Sequence, residues 1–530
     1  MMLMDAKRRF IKRLIQQLGS QVISFQENAL DTILNIKKQD LVEVCRFIYE
    51  EKKARLFTMI GNDERGINGV FALYYVFVID EIQQFITIKI FIDESDPTFP
   101  SMASHMPALN WYEREVNDLL GLRALGHPDR SPLILHDDWP EDFYPLRKDY
   151  KYTLMVPRTK ERNVFVEYTS EDITQIPVGP IHAGIIEPGH FRFGAVGDTI
   201  LHLDAKLFYT HRGIEKALEG KTIEQALFMI ERICCVCNVS HSVAFAQAVE
   251  SAAGIQIPNR AKYLRVLFLE LERLYNHVGD VGNICAGYGF AVGNSQGARL
   301  REQLLQLNER LSGHRYLRGT ILPGGMKQNI TGEEMTALLE ELAALQLDFH
   351  EFVNILLSHE IAVNRMENTG CLNLKQVNDL EVVGVAARAS GRDIDCRRDL
   401  PYAAYDKVKF DVPVKTKGDV LRRIKIKIRE VDASIEIIRQ ILADMPMGEI
   451  ITGIPTIKPY TTTFGWTESA RGENCHWMMI GPDNEIYRYR IRSASYSNWP
   501  AVALSVQNNI VPDFPLINKS FELCYSCCDR

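Results

Sequence analysis

The sequence predicts an α+β protein, with a small sheet-bearing N-terminal part followed by a larger helical bundle that carries peripheral β segments. Three observations predict it. Short runs rich in Val, Ile, Phe and Tyr, such as Phe71–Ile79 and Phe85–Ile92, are separated by polar turns such as Gly61-Asn62-Asp63. Further on, apolar residues step by three and four, as one face of a helix requires. Beyond Ile451 the chain returns to short β-like segments.

Taken in order, MMLMDAKRRFIKRLIQQLG alternates basic and apolar residues, without a long apolar stretch or a cleavage site. It reads as an amphipathic helix and not as a signal peptide. The runs that follow suggest a domain over 1–150 with an antiparallel sheet. That domain closes on Trp111–Arg130 and Asp137–Tyr150, where Pro, Asp and Gly interrupt any period, so an ordered arm or a linker is expected there. Residues 151–175 are polar and aperiodic and form the expected linker to a second domain over 176–530. This domain opens with a β-rich patch and is then helical to about residue 445. Leu264, Leu267, Leu271, Leu274 and Val278 share one helix face. Thr331 with Glu334 forms a capping box for a helix with Leu338, Leu342, Leu345, Phe349, Phe352 and Leu356 inside. Val420–Leu442 aligns Ile424, Ile428, Val431, Ile435, Ile438 and Leu442, although its Ile-Lys-Ile-Lys-Ile opening also fits a strand. Long helices at this spacing imply a bundle. There is no internal repeat and no low-complexity tract.

Composition excludes several classes. A chain of 530 residues is too long for a peptide or a single small module. With 61 Lys+Arg against 68 Asp+Glu the net charge is −7, so no nucleic-acid partner is expected. The longest apolar run, near Val70–Ile79, is about half of what a membrane-spanning helix needs. The cytoplasm is the default compartment. Eleven cysteines are an odd number and far too sparse for a secreted disulfide scaffold. Cys45, Cys285, Cys371, Cys396 and Cys475 are scattered, as small buried hydrophobes usually are. The other six fall in two clusters, Cys234-Cys235-Val236-Cys237 and Cys524-Tyr525-Ser526-Cys527-Cys528.

Each cluster holds a C-x-x-C pair, and two such pairs can give four thiolates to one soft metal. Structural zinc usually draws its pairs from a short span that needs the metal to fold, whereas these lie almost 290 residues apart. On spacing alone, structural zinc, a redox or iron–sulfur site, and unrelated buried cysteines all stay open.

The flanking residues add to this. Arg232-Ile233-Cys234-Cys235-Val236-Cys237-Asn238-Val239-Ser240-His241 resembles the R-x-C-G-x-C-x-x-x-H motif of nickel–iron hydrogenase large subunits. Cys524-Tyr525-Ser526-Cys527-Cys528-Asp529-Arg530 resembles their C-terminal D-P-C-x-x-C-x-x-R/H motif. The likeness covers nearly the whole chain. Trp111–Tyr150, with its E-R-E, G-H-P-D and P-L-R-K-D-Y elements, resembles a hydrophilic subunit of respiratory complex I. The residues from about 176 onward, including Val178–His182, Glu187–His190 and His211–Glu215, are similar to the neighbouring quinone-site subunit. A fusion of these two modules is characteristic of membrane-bound hydrogenases of formate hydrogenlyase and hydrogenase-4 type.

The resemblance implies a nickel–iron centre. Cys234 and Cys524 would be terminal ligands to nickel, and Cys237 and Cys527 would bridge it to an iron carrying CO and cyanide. Glu187 would be the base beside a terminal thiolate. Arg471, within Glu468-Ser469-Ala470-Arg471-Gly472-Glu473, matches the family's E-A-P-R-G element, whose arginine overhangs the open metal position. His241 would donate a hydrogen bond to a bridging thiolate. Glu215 is read either as part of the site or as a structural ion pair with Arg212. Cys235 stands where the family usually has glycine, Glu522-Leu523 where it has Asp-Pro, and Ala470 where it has proline; Cys528 adds a thiol beside the site. In the family a peptide beyond the final residue of the motif is removed, and the sequence ends at Arg530, where that cut would fall. It is then either the mature form or the product of a gene without such an extension.

The partners implied are a small subunit with a proximal iron–sulfur cluster, a ferredoxin-like subunit and antiporter-like integral membrane subunits, with the chain peripheral on the cytoplasmic side of the membrane; the electron donor, whether a formate dehydrogenase, ferredoxin or carbon monoxide oxidation, stays open. Two other readings remain at this point: a fused complex I subunit in quinone reduction, and an inactive assembly scaffold.

Overall fold

The computed structural model describes residues 2–28, 30–160, 165, 168, 170–182 and 186–530. Helix and strand are mixed, in several separate sheets, as an α+β chain requires. The N-terminal amphipathic segment is a helix, Met2–Leu18, that buries Ile11, Leu14 and Leu18. The expected strands are Val70–Ile79 and Gln84–Ile92, at the heart of a five-stranded sheet in the order Val22–Glu27, Asp31–Ile36, Gln84–Ile92, Val70–Ile79, Arg55–Glu64. This sheet is mixed and not purely antiparallel, because Asp31–Ile36 runs parallel to Gln84–Ile92. Two strands and two α-helices, Leu41–Arg46 and Arg65–Asn68, separate those partners in sequence, which gives the chain the length for a crossover that a hairpin lacks.

Trp111–Arg130 is not wholly an irregular arm. Its first part is a helix, Asn110–Leu120, which the sequence pattern concealed because Glu113, Glu115 and Asp118 lie on its buried side. Asp118 Oδ2 accepts the N–H groups of Leu133 and Ile134, both at 2.8 Å, and Glu113 that of Met102 at 2.7 Å, so the buried carboxylates order the loops around them. The expected linker, 151–175, lies partly outside the described residues.

The β-rich patch after residue 176 is the sheet Thr174–Val178, His190–Val196 and Thr199–Lys206. The three expected long helices are Asn259–Ala286, Gly332–Ser358, with the Thr331/Glu334 capping box in place, and Val420–Ala443, which is helical throughout. Gly282 and Gly297 let Asn259–Ala286 and Ala291–Ser312 touch backbone to backbone; a Cβ at Gly297 would stand 2.3 Å from Gly282 Cα. No described helix is long and apolar enough to cross a membrane.

The tail contains the expected β segments, Thr462–Ser469, Gly472–Ile480 and Ile486–Arg492, in one antiparallel sheet. It then departs from expectation by ending in three helices, Ala494–Val506, Phe514–Phe521 and Tyr525–Asp529. This tail sheet is the keystone. One face meets the N-terminal sheet, with Trp477 against Tyr74 at 5.2 Å and Phe464 against Phe85 at 4.9 Å. The other lies on helix Asn238–Ala253 so closely that a Cβ at Gly465 would stand 2.1 Å from Ala244 O.

Candidate metal centre

The first cysteine pair lies on the turn between helices Ile223–Ile230 and Asn238–Ala253. The Thr222/Gln225 capping box starts the first helix. The second begins directly after Cys237, and its leading N–H groups at Val239 and Ser240 are accepted by the Glu272 carboxylate at 2.6 and 3.0 Å. Inside the turn, Cys234 Sγ accepts from Val236 N–H at 3.3 Å and Cys237 N–H at 3.2 Å. The second pair repeats this device, since Cys524 caps Tyr525–Asp529 and accepts from Cys527 N–H at 3.3 Å.

The fold brings the two turns together. The thiols of Cys237, Cys524 and Cys527 all hydrogen-bond to Cys234 and hold it well below the ordinary thiol range. Ligand atoms of Cys234, Cys527 and His241 lie within 4.8 Å of one another. Cys234, Cys237 and Cys527 are buried; Cys524 is half-buried on the wall of an open cavity. Arg212 clamps both turns, donating to Arg232 O at 2.9 Å, Ile233 O at 2.7 Å and Ser526 O at 3.3 Å.

The other expected site residues gather at the same place. Glu187 lines the cavity and accepts from Ser526, one of the two residues between Cys524 and Cys527, through N–H at 2.9 Å and through the hydroxyl. Arg471 occupies the two-residue turn joining strands Thr462–Ser469 and Gly472–Ile480, and reaches the cavity wall. That turn approaches another backbone so tightly that a Cβ at Gly384, itself at φ +70°, would stand 2.2 Å from Arg471 O. Arg471 donates to Glu522 O at 2.7 Å, Asn276 Oδ1 at 2.7 Å and Asp280 Oδ1 at 3.0 Å. His241, one turn into its helix, places Nε2 3.3 Å from Cys527 Sγ. Burial holds this imidazole down to about 4, so it is neutral at physiological pH.

Glu215 does not pair with Arg212. It faces Arg490 at 3.2 Å and Arg530 at 3.4 Å and accepts Ile491 N–H at 2.8 Å, because helix Ile214–Ala217 packs on strand Ile486–Arg492. Cys235 does not crowd the turn, since its side chain is exposed toward the cavity, while Cys528 is fully buried in the core.

Several residues of the site carry no motif in the sequence. Asn276 and Asp280 hold Arg471, Lys427 binds Asp280 at 2.6 Å, and Glu272 anchors the first turn. The one signal for Glu272, Asn276 and Asp280 is polarity beside the apolar stripe of helix Asn259–Ala286, and for Lys427 a charge within helix Val420–Ala443. Burial opposes the Asp280 charge, but Arg471 and Lys427 outweigh it and hold the carboxyl well below its usual range. Burial and then the charge on Asp280 push Glu522 up to about 7.

Cysteine sulfurs drawn together from two distant turns, with a cavity beside them, suit a soft redox metal with an accessible position. A closed structural site would leave no such opening.

Comparison with known proteins agrees. The chain matches the family model "Nickel-dependent hydrogenase" over residues 212–280, "Respiratory-chain NADH dehydrogenase, 30 Kd subunit" over 34–155, and "Respiratory-chain NADH dehydrogenase, 49 Kd subunit" over 289–463 and 455–530. It is 36% identical to formate hydrogenlyase subunit 5 of Escherichia coli (strain K12), over 94% of this chain and 88% of that protein. With hydrogenase-4 component G of the same strain it shares 35% identity over 94% of this chain and 88% of that protein. With the carbon monoxide-induced hydrogenase of Rhodospirillum rubrum it shares 31% over 67% of this chain and 99% of that protein. These relatives support the hydrogenase reading over that of a fused complex I subunit. A pair of cysteine turns converging on one buried point, carried on a chain with these relatives, places it: the protein belongs to the nickel–iron hydrogenase family of formate hydrogenlyase subunit 5 and hydrogenase-4 component G.

Proposed function

We propose that this chain is the catalytic large subunit of a membrane-associated hydrogenase that evolves H2 reversibly, using electrons from a partner iron–sulfur subunit. The observation that carries the reading is the convergence of Cys234, Cys237, Cys524 and Cys527 beside a cavity walled by Glu187 and Arg471. Cys234 and Cys524 would be terminal to nickel, and Cys237 and Cys527 would bridge it to an iron with CO and cyanide ligands. When bound there, the nickel–iron pair supplies the two-electron interconversion of H2 with protons and electrons. Glu187 takes or gives the proton at its carboxylate, which Ser526 fixes beside Cys524. Arg471 presents a fixed cation over the cavity and strengthens the field there. His241 donates from Nε2 to Cys527 Sγ.

Among the described residues the one group of three or more metal-ligating side chains is the one at this centre, so the iron–sulfur cluster of the electron route is assigned to a partner subunit. The division into 1–150, a linker over 151–175 and 176–530 fits a complex I-like module joined to a hydrogenase large-subunit module. A ferredoxin-like subunit and antiporter-like membrane subunits complete the assembly, on the cytoplasmic side of the inner membrane, with formate dehydrogenase, ferredoxin and carbon monoxide oxidation all open as the electron source.

The test is metal analysis and infrared spectroscopy of the purified complex. About one nickel per chain with CO and cyanide stretching bands is expected, and Cys234→Ser or Cys524→Ser then abolishes H2 evolution. A properly matured complex with neither nickel nor those bands would overturn the reading in favour of a scaffold.

A further inference from the structure

The hydrogen bond from His241 to Cys527 is the end of a longer chain. His241 Nδ1 lies 2.8 Å from His476 Nε2, and His476 Nδ1 lies 2.6 Å from the Tyr489 hydroxyl. Three elements supply these groups: helix Asn238–Ala253, strand Gly472–Ile480 and strand Ile486–Arg492. His476 pairs across the sheet with Ile491, so the alternation of strand Ile486–Arg492 puts Tyr489 on the same face as His476, toward the helix. All three side chains are fully buried, and each ring nitrogen of His241 and His476 has one partner.

The positions of the protons follow from the last acceptor. A thiolate at Cys527 has no proton to give, so His241 must carry its proton on Nε2. Its Nδ1 is then an acceptor, which requires a proton on His476 Nε2. His476 Nδ1 is in turn an acceptor, and the Tyr489 hydroxyl donates to it. Reversing every bond would set the bare lone pair of His241 Nε2 against the sulfur.

We propose that His476 and Tyr489 are positioning residues that lock His241 in the tautomer donating to Cys527 and thereby set the electron density on that thiolate. The inference rests on the reading of Cys527 as a metal thiolate. A hydrogen bond to sulfur withdraws density from the ligand, and such bonds are among the factors that set the potential of thiolate-held metals.

The test uses the purified, matured complex carrying His476→Leu, with His476→Gln and Tyr489→Phe beside it. His476→Leu removes the donor to His241 Nδ1, so the infrared CO band is expected to shift to lower wavenumber and the midpoint potential of the centre to become more negative, at unchanged nickel and iron content. His476→Gln keeps an N–H near the same place and is expected to restore both toward wild type. Tyr489→Phe, which removes one oxygen from a buried ring, is expected to shift both in the same direction as His476→Leu by a smaller amount, and serves where the leucine variant does not mature. A fully metallated His476→Leu or Tyr489→Phe protein with unshifted band and potential overturns the proposal. Absence of nickel and of the CO band from the wild-type complex overturns the hydrogenase reading instead.

Discussion

Arg471 shows what a single side chain requires at this centre. A guanidinium has five N–H donors in a rigid fork, and three of them are taken by Glu522 O, Asn276 Oδ1 and Asp280 Oδ1. Those three acceptors fix the plane of the fork at the cavity wall, and the Asp280 carboxylate, itself held by Lys427, keeps its charge matched. A lysine preserves the charge but lacks the fork. Arg471→Lys is therefore expected to lower H2 turnover by about 10²-fold, the scale of losing one preorganised donor from a water-poor site. Nickel content should be unchanged, because the three bonds of the fork go to Glu522 O, Asn276 and Asp280 and to none of the four sulfurs. Full turnover in that variant would show that the fork has no part in the chemistry. The four cysteines, Glu187, Arg471 and His241 could be read from motifs, since each stands in a short local pattern. Asp280 and Asn276 could not, because they act across the fold from a helix whose dominant signal is its apolar stripe.

Elements were legible wherever burial and polarity agreed. The capping-box helix Gly332–Ser358 has apolar residues inside and charges outside, and its period is plain in the sequence. Helix Asn110–Leu120 inverts that relation, since its buried positions include Glu113, Glu115 and Asp118. Burial pushes the Glu113 carboxyl up to about 7, against an ordinary value of 4.5, although Ser101 and Met102 donate to it. The folded state thus binds a proton there between pH 4.5 and 7 that the unfolded chain has released. Stability falls as pH rises through that window, by about 3 kcal/mol in all. Glu113→Gln has no proton to lose, so its stability relative to wild type should rise by about that amount between pH 5 and pH 8. Urea unfolding at the two pH values reads the difference, and a pH-independent gap between the proteins would refute it.

At the scale of the molecule, the strand Ile486–Arg492 joins what the sequence could only show as separate stretches. Its alternation sends Tyr489 and Ile491 toward helix Asn238–Ala253, and Arg488, Arg490 and Arg492 toward the N-terminal sheet and helix Asn110–Leu120. Arg488 donates to Leu146 O at 2.6 Å and Arg492 to Phe57 O at 2.8 Å. Arg490 meets Glu115, which also binds Arg530 at 2.8 Å, and Glu215 faces both arginines. No local pattern announces such contacts, because Glu115, Glu215, Arg490 and Arg530 are brought together only by the packing of four elements. Two anions and two cations, each at most 6% exposed, balance one another in this cluster. Removing one anion leaves a buried positive charge uncompensated, so Glu115→Ala should cost about 3–5 kcal/mol. Because Arg530 ends the turn that carries Cys527, the same substitution should also lower nickel content in the purified complex. The exposed pair of Arg310 and Glu341 is the contrast, and Glu341→Ala should change stability by under about 1 kcal/mol with full metal content. If Glu115→Ala unfolds at the wild-type denaturant concentration and keeps its nickel, the cluster does not couple the N-terminal sheet to the metal centre.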